Sequence, residues 1–179
     1  MKRRAPALVV VCCLWLAAFA AAAADKPEHK SEPAAPPLPG RAETHHTIAL
    51  PTGPLEYRAI AETIGLTDRK GEPSAAIYTI SYLAAPPAGT PRPVAFVFNG
   101  GPGAASVFLH LGALGPRILE TPPTGAVPAP PLHLVDNPET WLRFADLVFV
   151  DPVGTGFSRG EGKGDNPDKP FWNVRADID

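Results

Sequence analysis

The residues Asn99-Gly100-Gly101-Pro102-Gly103 follow directly on the apolar run Val94-Ala95-Phe96-Val97-Phe98, an order suited to holding negative charge at the end of a strand. Adjacent glycines let a backbone bend sharply and bring its N–H groups close to a bound carbonyl, as an oxyanion hole requires. Pro102 has no N–H, so the donors available are the amides of Gly100, Gly101, Gly103 and Ala104. Asn99 adds a side-chain amide that can donate to a carboxylate and brace the turn. The chemistry indicated is acyl transfer, and the plainer alternative is a tight turn that uses glycine only for its φ angles.

Acyl transfer also needs a nucleophile, a histidine and an acid. Gly156-Phe157-Ser158-Arg159-Gly160 fits the GxSxG pattern of a nucleophile elbow, but an elbow places its serine on a sharp strand-to-helix turn with a histidine later in the chain. Ser158 is several residues past its strand and runs into Glu161-Gly162-Lys163-Gly164-Asp165, which is not a helical sequence. All 5 histidines (His29, His45, His46, His110, His133) precede it. Ser106 has no partner base within reach of the sequence and reads as a capping or packing residue. His45-His46 has no acidic or thiol companions at metal-ligand spacing and reads as a solvated pair, with no metal or cofactor expected. His110 lies off the apolar stripe of its helix, where a hydrogen-bonded structural place is expected. No triad can be assembled, so the chain reads as part of an enzyme.

The elements that position these residues follow from periodicity. Thr47 to Leu50, Leu55 to Ile64 and Ala75 to Leu83 are rich in β-branched and aromatic residues and separated by turn sequences, which predicts an antiparallel meander. Val94 to Phe98 and Leu147 to Val150 have no polar interruption, as expected of strands covered on both faces. Between them Ala104, Val107, Phe108, Leu111 and Leu114 recur at helical spacing, and Gly115-Pro116 predicts a left-handed stop. Strand, helix and strand make a crossover unit with its two strands parallel. The glycine-bearing loops after those strands, Asn99 to Gly103 and Asp151 to Gly160, should then face one cleft. Thr121 to Pro131, with five prolines, is a surface excursion, and a helix is expected to begin near Phe171.

Lys2, Arg3 and Arg4 precede an apolar core from Ala7 to Phe19 and an alanine run, the pattern of a secretory signal over residues 1–24. Cys12 and Cys13 lie inside it, so the processed chain would carry no thiol. Residues 25–40 alternate five prolines with charges and alanines and read as a solvated tether. Residues 41–179 have the length and apolar content of one small domain. A net charge of −2 argues against a nucleic-acid or anionic-membrane partner, and no stable membrane association is expected once the signal is removed.

Taken in order, Asn99-Gly100-Gly101-Pro102-Gly103, Leu114-Gly115-Pro116, Asn137-Pro138-Glu139-Thr140-Trp141 and Ala145-Asp146-Leu147-Val148-Phe149-Val150-Asp151-Pro152-Val153-Gly154-Thr155-Gly156-Phe157-Ser158 resemble the N-terminal half of the serine carboxypeptidase family. The resemblance implies an α/β fold, the N-terminal part of an α/β-hydrolase in which antiparallel strands lead into a parallel β-α-β core that stops before the nucleophile strand. It implies that the Gly101 amide contributes to the oxyanion hole, that Asn99 and Gly100 hold the C-terminal carboxylate of a peptide substrate, and that Ser, Asp and His of the triad come later. This chain departs from the family pattern in having Val97 where a Trp precedes the motif Asn, and Ala113 where a Glu of the carboxylate-gripping network precedes Gly-Pro. A related secreted peptidase or esterase activity, or a non-catalytic module that binds peptide carboxylates, therefore stays open.

Overall fold

The computed structural model describes residues 37–85, 91–100, 103–122, 124, 126 and 130–173. The signal segment, most of the tether, Gly101, Pro102 and the expected C-terminal helix beyond residue 173 lie outside the described residues.

The meander forms as its composition dictates, with longer strands than the apolar runs alone suggested: β1 (Ala42–Leu50), β2 (Gly53–Thr67) and β3 (Pro73–Ala84) pair antiparallel in sequence. Next come β4 (Val94–Val97), α1 (Val107–Leu109), which continues as a π-helical turn over His110–Leu114, and the two-stranded ribbon β5 (Arg117–Leu119) and β6 (Leu134–Asp136). A 3-10 turn at Trp141–Arg143 leads into β7 (Asp146–Val150), and β8 (Arg159–Gly160) returns to the N-terminal end of β3. The main sheet runs β1-β2-β3-β7-β4, with β4 parallel to β7 and β7 antiparallel to β3. The parallel pair puts the C-terminal ends of β4 and β7, and hence both glycine-bearing loops, on the same edge of the sheet.

The core lies on one face of that sheet. Ile48, Tyr57, Ala84, Val97, Leu142, Ala145, Leu147 and Phe149 pack together there, with Ile80, Tyr82, Leu109 and Leu114 against them. β4 is not covered on both faces: Val97 is buried, but Val94, Phe96 and Phe98, alternating with the inward positions, are each more than half exposed. A continuous apolar run here encodes one inward face and one bare face, because no described element lies over the second.

The segment after β4 also departs from its apolar stripe. Val107 and Phe108 are exposed, while Ser106 and His110 are buried. Two polar anchors fix this rotation: Ser106 is tied to Asp151, and the His110 ring shares a 2.6 Å hydrogen bond with the Tyr82 hydroxyl. Positions 106, 110 and 114 then face inward at intervals of four. The α-helix is only three residues long because the ladder widens to the i→i+5 pattern, with the Gly115 amide donating to the His110 carbonyl at 3.1 Å. Gly115 is extended (φ −64°, ψ 163°), not left-handed, and serves by lacking a Cβ, which would overlap the His110 carbonyl oxygen. Lys169–Phe171 is a 3-10 turn, which the chain leaves at Trp172 (φ −88°, ψ 51°).

Candidate active site

The turn after β4 has few internal bonds among the described residues. Asn99 is half-buried and donates through Nδ2 to the Gly100 carbonyl at 2.8 Å, bracing the turn from its own first residue. Gly103 sits at φ +87°, a conformation that favours glycine. Among the described residues, nothing accepts a hydrogen bond from the amides of Gly100, Gly103 or Ala104. Gly101, the expected oxyanion donor, lies outside the described residues.

The loop after β7 is the opposite case. The amide of Thr155 donates to Pro152, that of Ser158 to Thr155 and that of Gly154 to Ser158, so the loop closes on itself. Ser158 is buried; its hydroxyl donates to the Asp151 carbonyl at 2.6 Å and accepts from the Tyr78 amide at 2.7 Å. It pins the loop to β3 and presents no oxygen to a substrate. Phe157 rests its ring edge on Tyr78, 5.1 Å between centroids.

The two loops meet through a carboxylate that neither the glycine pattern nor the search for a triad singled out. Asp151, the first residue after β7, is buried, and its Oδ1 accepts from both the amide and the hydroxyl of Ser106 at 2.8 Å. Its Oδ2 lies against Gly156 (φ +53°), where any Cβ would overlap it. Ser106 is thus an anchor between loops, and its side chain makes no cap to its own helix. An acidic residue ending a buried strand was the available signal, because a buried carboxylate must find donors nearby.

The far end of the helical segment is held by the Asn-Pro-Glu-Thr stretch. Asn137 Nδ2 donates to the carbonyls of Ala113 (2.7 Å) and Gly115 (2.9 Å), and Thr140 Oγ1 donates to that of Leu114 (2.8 Å). Both side chains are buried, and together they satisfy the carbonyls a widened helix end leaves without partners. Val97 belongs to the core, and Ala113 is exposed.

His110 is stacked near Phe149, 4.5 Å between ring centroids, and burial lowers its pKa to about 4 against a smaller opposing pull from the Asp151 charge. Burial likewise raises the Tyr82 pKa, so the pair is neutral near pH 7. His45 is exposed, and His46 bonds Thr44 at 2.7 Å and stacks on Tyr57. A cavity of about 510 Å³ opens beside these two histidines, between Glu56, Arg58 and Leu83, away from the two loops. Among the described residues no helix is long and apolar enough to cross a membrane.

The glycine-bearing loops leave the C-terminal ends of a parallel strand pair, where open α/β sheets place their sites. Residues 77–170 match the family model described as serine carboxypeptidase, and the chain belongs to that family. It is 41% identical over 66 residues to the pheromone-processing carboxypeptidase KEX1 of Komagataella phaffii, a stretch that covers 36% of this chain and 9% of that protein. It is 44% and 46% identical over 61 residues to proteins of the same name from Colletotrichum graminicola and Pyricularia oryzae, covering 34% of this chain and 8% of each. The match thus spans less than a tenth of these relatives' length.

Proposed function

We propose that these residues are the N-terminal portion of a secreted serine carboxypeptidase-like hydrolase, exported by the signal segment at residues 1–24, which removes C-terminal residues from peptides through an acyl-enzyme. In this reading Asn99 and Gly100 receive the substrate's free carboxylate and the Gly101 amide faces the oxyanion. The nucleophilic serine, the histidine and the acid come from sequence outside these 179 residues. Donors aimed at charge that develops only in the transition state accelerate acyl transfer, because they need no reorganisation when the charge appears. The observation that carries the reading is that the amides of Gly100, Gly103 and Ala104, within the span that matches the family, have no acceptor among the described residues.

The test is hydrolysis by the full-length protein of an N-blocked dipeptide with a free C-terminus, beside the same dipeptide capped as its C-terminal amide. Release of the terminal residue from the first, at least about a hundredfold faster than from the second, supports carboxypeptidase action. Equal rates would assign a general peptidase or esterase, the activity left open by Val97 and Ala113. Absence of hydrolysis would sink the enzymatic reading.

A further inference from the structure

We propose that Asp151 is the positioning residue of the anion-receiving turn, acting through Ser106; this rests on the carboxylate-binding role proposed for Asn99 and Gly100. The turn is supported at two ends. One is covalent, through Asn99 to β4. The other is Ser106, three residues beyond Gly103, whose amide and hydroxyl both donate at 2.8 Å to a single oxygen of buried Asp151. Hydrogen bonds to an ionised acceptor are roughly twice as strong as neutral ones, and two on one oxygen fix direction as well as distance. Gly156 completes the seat: its absent Cβ leaves room for Asp151 Oδ2, and a side chain there would also press on Ala105. Residues 105 and 106 are thereby set on a loop whose own hydrogen bonds are closed, and that rigidity passes to the open turn. Donor sites lose efficiency when displaced by about half an ångström, so this second support decides where the amides of Gly103 and Ala104 point. Variants of Asp151 separate the two contributions: removing the acceptor frees Ser106, whereas removing only the charge keeps both hydrogen bonds in weaker form.

The experiment uses the isotope-labelled full-length protein titrated with 3-phenylpropanoate, which has a carboxylate and no scissile bond, and with 3-phenylpropanamide as the uncharged control, reading the amide resonances of Asn99, Gly100, Gly103 and Ala104. Asp151→Ala is expected to weaken carboxylate binding about tenfold or more and to shift Gly103 and Ala104 before any probe is added. Asp151→Asn keeps an oxygen for Ser106 and is expected to bind within about threefold of the parent, because both hydrogen bonds remain. Asn137→Ala destabilises the far end of the helical segment without touching Asp151 or Ser106, and its affinity is expected to stay within about threefold of the parent, which a merely structural role for Asp151 would not predict. Parent-like binding by Asp151→Ala, or an equal loss in Asn137→Ala, overturns the proposal. Should Asp151→Ala not fold, Ser106→Ala replaces it, and unchanged affinity together with unmoved Gly103 and Ala104 resonances overturns the proposal. If the parent shows no carboxylate-dependent shift, the carboxylate-binding reading fails by itself. Positioning is then judged on the free proteins: faster exchange of the Ser106 amide and displaced Gly103 and Ala104 resonances in Asp151→Ala support it, and their absence overturns it.

Discussion

Two glycine-bearing loops leave the same edge of the sheet, one after β4 and one after β7, and they spend their backbone in opposite ways. The loop at Asp151–Ser158 closes on itself, buries its serine and uses Gly156 because a carboxylate oxygen occupies the space of a side chain. The turn at Asn99–Gly103 keeps the amides of Gly100, Gly103 and Ala104 without acceptors among the described residues, and Gly100 has nothing within 4 Å of its missing Cβ. Glycine therefore does two jobs here, close packing in one loop and open donors in the other. The serine of the GxSxG match in the first is held between the Asp151 carbonyl and the Tyr78 amide.

That contrast can be broken by substitution, and the largest effect belongs to the closed loop. Gly156→Ala is expected to cost about 3 kcal/mol or more of unfolding free energy in urea titrations, from overlap with Asp151 and a left-handed backbone. A loss under about 1 kcal/mol would mean that the two loops are not rigidly joined. Next in size is the acid response of the buried ring behind them. His110 has a folded pKa of about 4, below its unfolded value near 6.5, so it contributes stability that is complete above the unfolded value and lost as pH falls towards 4. The loss is expected to reach about 2–3 kcal/mol, measured as the change in denaturation midpoint between pH 7 and pH 4, and to flatten in His110→Gln. Asn137→Ala leaves the Ala113 and Gly115 carbonyls without their donor and should cost about 2 kcal/mol, while Gly103 and Ala104 resonances stay in place. The smallest effect sharpens the comparison from its open side: Gly100→Ala should change stability by less than about 0.5 kcal/mol, since the position is exposed and unobstructed.

The meander and the parallel partnership of β4 with β7 were legible in the sequence because both rest on local signals, β-branched alternation and uninterrupted apolar runs. The hydrogen-bonded structural place expected of His110 is the one it occupies, against the Tyr82 hydroxyl. The helix was not legible. Its three-residue length and inverted face arise from side chains far along the chain: Asp151 holds Ser106 across 45 positions, Tyr82 holds His110, and Asn137 and Thr140 hold the carbonyls at residues 113–115. An apolar period cannot register such ties. The left-handed stop at Gly115 failed likewise, because a glycine needed for close approach looks the same as one needed for a positive φ. The order of motifs pointed to the right family, whereas Asp151 was hidden by its place inside a longer motif.

β4 ends the sheet among the described residues, with its outer row of peptide groups turned to water beside the rings of Phe96 and Phe98. Such a border is a template onto which another extended segment can hydrogen-bond. The consequence is practical: in concentrated solutions of these 179 residues, clarity and light scattering will report on this border before any assay reports on the loops. A single lysine in place of Phe96 is the simplest means of keeping the preparation clear.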